Sequence, residues 1–83
     1  MKKEYLIYNL ILNLEGNEKL LNKVISNITN EKLLKKLMEL LNDLLSLKNK
    51  VYQYMNKNIN LAKLDEQIIK QKYDEYKNIM SFL

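Results

Sequence analysis

Arginine, histidine, cysteine, proline and tryptophan are all absent from the 83 residues, and glycine (Gly16) and alanine (Ala62) occur once each. Each absence removes a class of chemistry. Without cysteine there is no disulfide framework and no thiolate metal site, which fits a reducing cytoplasm. Without histidine there is no Ser-His dyad, no zinc-hydrolase triad and no Glu-x-x-His di-iron pair. A single glycine cannot build a phosphate-cradling loop. The missing arginine takes away the planar phosphate clamp and the usual reader of guanine edges. The expectation is a protein that is not an enzyme and holds neither cofactor nor metal.

What is present is leucine, lysine and asparagine, with 17, 14 and 12 residues respectively. The net charge of +4 is even: residues 1–42 and residues 43–83 each carry seven lysines against five acids. A mild excess of this kind favours an acidic partner surface but is no signature of nucleic acid binding. Richness in Asn, Lys, Ile and Tyr points to an AT-rich genome. A chain this short buries about 60–65% of its unfolded surface, so self-association is a common supplement to its core. The opening MKKEYLIYNLILNLEG superficially matches a signal peptide, but Glu4 breaks the positive start and Asn9 and Asn13 break the apolar run. The longest uncharged run, Tyr5 to Leu14, is too short to span a bilayer.

No proline punctuates the chain and good helix formers dominate, so the fold class is all-α. The letters NEKLL occur at Asn17–Leu21 and again at Asn30–Leu34, each offering an asparagine cap and a first-turn glutamate. They mark two helix starts. A first helix over Lys3–Glu15 then ends at Gly16, and a second runs over Glu18–Ile28. Ile7, Leu14, Leu21 and Ile28 nevertheless recur every seven residues across Gly16, so one kinked rod is the alternative.

The third helix is expected over Glu31–Asn56. With Leu34 at heptad position a, the a and d positions are Leu34, Leu37, Leu41, Leu44, Lys48, Val51 and Met55. Leu33, Leu40, Leu47 and Tyr54 fill g, Met38, Leu45 and Tyr52 fill e, and b, c and f are polar. An apolar face this wide fits a helix packed by two neighbours. It also leaves a membrane-surface reading without an unclaimed apolar face. NKNIN (Asn56–Asn60) is the expected connection, followed by a fourth helix over Leu61–Ser81 with an apolar stripe reaching Leu83. Residues 3–28, 31–56 and 61–83 form three arms of one domain, a small antiparallel bundle whose first arm is broken or kinked at Gly16.

Candidate sites are few. The acidic doublets Asp65-Glu66 and Asp74-Glu75, and Glu39 with Asp43, read as solvated faces. The stretch Leu44–Leu64 carries Lys48, Lys50, Lys57 and Lys63 with Tyr52 and Tyr54 and no acid, a pattern able to hold a phosphate backbone and stack bases. Lys48 is the one charge at an a position; it either snorkels out or meets a partner carboxylate. Tyr73 and Tyr76 sit on the helix with the least regular stripe and are the best tyrosine pair for a partner surface. The nearly all-apolar Tyr5–Leu14 segment, through Tyr5, Ile7, Tyr8 and Ile11, is the candidate for self-association. On that assignment Ile7→Glu yields monomers or insoluble protein.

In size, charge and all-helical pattern the chain resembles bacteriocin immunity proteins and some phage-encoded inhibitors of bacterial defence. The resemblance is one of type, and no residue signature carries a site across. The leading expectation is a protein-binding module that blocks or bridges a larger protein. A nucleic-acid-binding accessory and a structural homo-oligomer are the alternatives.

Overall fold

The computed structural model describes residues 2–82. Asn30 begins the longest element: its side chain accepts a hydrogen bond from the Leu33 amide and caps a helix over Glu31–Lys57, with Glu31 in the first turn and Lys57 in the last. Both charges oppose the helix dipole at their ends. A helix over Lys3–Ile25 (α1) precedes this one (α2), and a third (α3) spans Glu66–Met80. No strand occurs among the described residues. Leu83, the last residue of the expected stripe, lies outside them.

The connection at 26–30 is short, so α1 and α2 run antiparallel side by side. Cross-contacts confirm the direction, since Glu18 meets Lys48 and Glu15, earlier in α1, meets Tyr52, later in α2. α3 is antiparallel to α2. The Asp65 amide at its start touches Tyr54 near the C-terminal end of α2. Phe82, just past its end, lies under the Lys36 ammonium 5.7 Å from the ring centre. The result is a three-helix bundle 46 Å long and 19 Å across, of which α2 alone spans about 40 Å at 1.5 Å per residue.

Gly16 does not end a helix. α1 is one α-helix through it, and no residue among those described has a positive φ. The seven-residue recurrence prevails over the Asn17-Glu18 start signal for a packing reason. Ile7, Leu14 and Leu21 all reach the same core, and a single rod delivers them there. A mid-helix glycine costs only about 0.5–1 kcal/mol against alanine, less than burying one leucine contributes. Asn17 therefore caps nothing; its amide donates back to the Asn13 carbonyl one turn earlier.

The last helix also starts later than Leu61. Leu61–Lys63 form one 3-10 turn with Asn60 accepting from the Ala62 amide, and Leu64 is fully buried. Asp65 then caps α3 by accepting from the Gln67 amide. Replacing Asp65 with alanine should cost about 1 kcal/mol. Urea denaturation would show this as a lower midpoint with unchanged slope, and an unchanged midpoint would remove Asp65 from that role.

The core is a single apolar cluster: Ile7, Leu10, Ile11, Leu14 and Leu21 from α1, Leu37, Leu40, Leu44, Leu47 and Val51 from α2, with Leu64 and Ile69. On α2 these are the d and g positions, so the seam is rotated from the expected a/d line. α3 occupies the g side and draws Leu40 and Leu47 inward. Positions a and e are left on the flank beside α1. Tyr73, Tyr76, Ile79 and Met80 of α3 pack half-buried against the cluster. Three Glu/Lys pairs are spaced four residues apart along the helices: Glu66–Lys70 is within ion-pair distance, at 3.4 Å, and Glu15/Lys19 and Glu31/Lys35 form no ion pair.

Candidate functional site

Surfaces, not cavities, are where this bundle can act. Among the described residues no polar or charged residue is buried, and no buried side-chain nitrogen or oxygen lacks a partner. No group of three or more acidic residues converges on a cation position among them. The clefts of the bundle are open grooves. One of about 270 Å³ between α2 and α3 is lined by Asp43, Ser46, Leu47, Lys50, Glu75 and Ile79. Among the described residues no helix is long and apolar enough to cross a membrane.

The lysine- and tyrosine-rich stretch is acid-free in sequence but not in space. α1 brings Glu18 to Lys48, Nζ to Oε2 at 2.7 Å, with both side chains less than a quarter exposed. Lys48 thus meets a carboxylate of its own chain. One turn on, the Tyr52 hydroxyl donates to Glu15 Oε1. That hydrogen bond, then desolvation and the charges of Glu15 and Glu18, push the Tyr52 pKa up. Tyr54 accepts from the Asp65 amide and so ties α2 to the start of α3. Lys50 and Lys57 are exposed, Lys50 on the α2–α3 groove and Lys57 in the last turn of α2.

Tyr73 and Tyr76 are likewise engaged inside the chain. The Tyr73 hydroxyl donates to the Leu6 carbonyl at 3.1 Å, and Tyr76 accepts from the Asn17 amide group. Both rings are half-buried between α1 and α3. Desolvation first, and for Tyr73 the neighbouring Tyr5 and Tyr76 as well, raises both pKa values above 10.0. An acid whose folded pKa is raised holds its proton more tightly folded than unfolded, so its contribution is complete below pH 10 and is lost as pH rises through the folded values. Melting temperature should therefore fall above pH 10. The fall should be shallower in Tyr73→Phe/Tyr76→Phe than in the natural protein, with lysine deprotonation common to both. Identical alkaline slopes would exclude these tyrosines as the cause.

The candidate self-association set divides between two faces. Ile7 and Ile11 lie in the core; Tyr5 and Tyr8 point outward. The assignment of Ile7 and Ile11 to an intermolecular face is corrected here, because α1 buries that side against α2 and α3. The outward side holds residues that sequence reasoning passed over, Leu12 and Leu20, with Val24. Their signal was available: a helix apolar all round has more face than one bundle consumes.

α2 shows the same excess. Its a/e flank carries Leu34, Met38, Leu41 and Leu45, alternating three and four residues apart. Met38 is 50% exposed. Leu34 and Leu45 are half-buried yet stand outside the core cluster. Comparison with family models, curated proteins and solved structures finds no match.

Proposed function

We propose that the protein is a non-enzymatic docking module that binds a larger protein and blocks or bridges it. The observation that carries this is the second stripe of α2. The d and g residues already complete the bundle core. Leu34, Met38 and Leu45 form a further apolar seam outside it, with Leu41, which packs against the edge of the core, lying between them. An amphipathic partner helix laid along this flank would bury its own apolar face against Leu34, Met38 and Leu45, with anchors at helical spacing. The exposed Lys35 borders the stripe, and a partner with an acidic residue beside its apolar face suits it. The absence of His, Cys and Arg from the sequence also favours binding over catalysis.

The test is affinity capture from nuclease-treated bacterial lysate at high salt, with natural protein and a Met38→Asp/Leu45→Asp variant of equal helicity. One stoichiometric protein retained by the first and lost by the second is the expected result. Equal retention by both would move the site off α2. Retention of nucleic acid alone, at low salt and without nuclease, would replace this function with the nucleic acid one.

A further inference from the structure

Tyr8, Leu12, Gly16, Leu20 and Val24 are successive fourth residues of α1, and all five are exposed. They form one i±4 ridge on the side of the helix away from the core. Leu12 is 69% exposed and Leu20 55%. Gly16 sits at the centre of the ridge. No internal demand explains it: a Cβ built there meets nothing within 4 Å, and its φ is not positive. Alanine would give a more stable helix by about 0.5–1 kcal/mol. What glycine alone offers is a bare stretch of backbone between two leucine knobs.

We infer that this ridge is a self-association surface, with Gly16 as the crossing point of α1 helices from two copies of the chain. The ridge is symmetric about Gly16, so a two-fold antiparallel pairing is self-complementary. It sets Leu12 against Leu20 of the second copy and Tyr8 against Val24 of the second copy, with the two glycines meeting at the centre. Helices whose i±4 ridges interlock cross at about −50°, and close approach at the crossing needs small residues there. Charge selects the same arrangement. On the flank next to the ridge, Glu15 comes beside Lys19 of the second copy, and Lys23 comes beside Tyr8 and Asn9 of the second copy. A parallel two-fold pairing carries Glu15 and Lys19 of the second copy to opposite flanks and makes no such pair. Glu15 Oε1 accepts from Tyr52, which leaves its second oxygen to accept from the intermolecular lysine. The surface is separate from the α2 stripe, so it holds whether or not that stripe binds a partner.

Sedimentation velocity over a concentration series tests this with four proteins. The natural chain should pass from a 10.0 kDa monomer to a dimer. Gly16→Leu enlarges the exposed apolar surface and improves helix propensity, yet it fills the crossing point. It should melt no lower than the natural protein and associate about ten- to hundredfold more weakly, the overpacking cost expressed as affinity. Lys19→Glu should weaken the dimer, and adding Glu15→Lys should restore it. A natural protein that stays monomeric throughout would overturn the inference. So would a Gly16→Leu variant that associates as well or better, because that is the behaviour of an indiscriminate apolar patch. Failure of the charge exchange to restore association would overturn the antiparallel arrangement.

Discussion

Ile7→Glu unfolds the chain. Ile7 is 1% exposed and packs in the only cluster that all three helices share, among the described residues. Truncating such a residue to alanine costs about 2–5 kcal/mol. A glutamate costs more, because its charge has no partner in an apolar core and must stay protonated or drag water in. A small domain has about 5–15 kcal/mol in total, and one this short sits toward the low end. Far-ultraviolet circular dichroism should show most of the helical signal gone at room temperature. Tyr8→Glu, one residue along and facing solvent, should leave that signal and the melting transition near their natural values in dilute, monomeric protein. A folded, helical Ile7→Glu protein would mean that this face of α1 is not the core.

Gly16→Pro should cost about 3 kcal/mol or more. Proline there removes the amide that bonds back to the Leu12 carbonyl and drives its ring against that carbonyl. The helix then breaks between the part that delivers Ile7, Leu10, Ile11 and Leu14 and the part that delivers Leu21. Gly16→Ala acts in the opposite direction and should raise stability by about 0.5–1 kcal/mol in dilute, monomeric protein. The pair separates the two conformations by sign. A glycine in a left-handed helix-terminating residue loses stability with alanine; a glycine inside a helix gains it. Thermal melts of both variants decide between them, and a destabilised Gly16→Ala would restore the turn.

The limits of α2 were legible because its signals agree: Asn30 as cap, Glu31 behind it, and twenty-six residues of unbroken helical pattern. At Gly16 the local signals disagreed with the register. The NEKLL echo and the lone glycine argued for a break, whereas Ile7, Leu14 and Leu21 argued for a rod, and only the packing of α1 against both neighbours decides such a contest. The start of α3 was misplaced for a smaller reason. Asp65 followed by Glu66 is as good a start signal as Asn30-Glu31, but the apolar Leu61 and Leu64 drew the helix forward. Those residues instead belong to a capped 3-10 turn and a buried plug.

The surface was less legible than the fold. Nothing in the order of residues places Glu18 beside Lys48 or Glu15 beside Tyr52, since those pairs depend on how far α1 slides along α2. Both turn an apparently basic strip into a balanced one. The tyrosine hydroxyls of Tyr73, Tyr76 and Tyr54 find their partners on other elements in the same way. The apolar excess, by contrast, was written plainly in α1 and α2. Which residues it comprised required knowing which side the core consumes. Once the core takes Leu37, Leu40, Leu44, Leu47 and Val51, with Leu41 at its edge, the residues left over on α2 include Leu33, Leu34, Met38 and Leu45.

Site-specific photo-crosslinking in cells is the most direct test of docking by that stripe. A photoreactive side chain would be placed in turn at Met38 and Leu45 on the stripe, and at Lys57 and Asn78 away from it. The expected outcome is one heteromeric adduct of the same mass from Met38 and Leu45, and none from the other two. An adduct formed only from Lys57 or Asn78, or stripe adducts made solely of two copies of this chain, would contradict it.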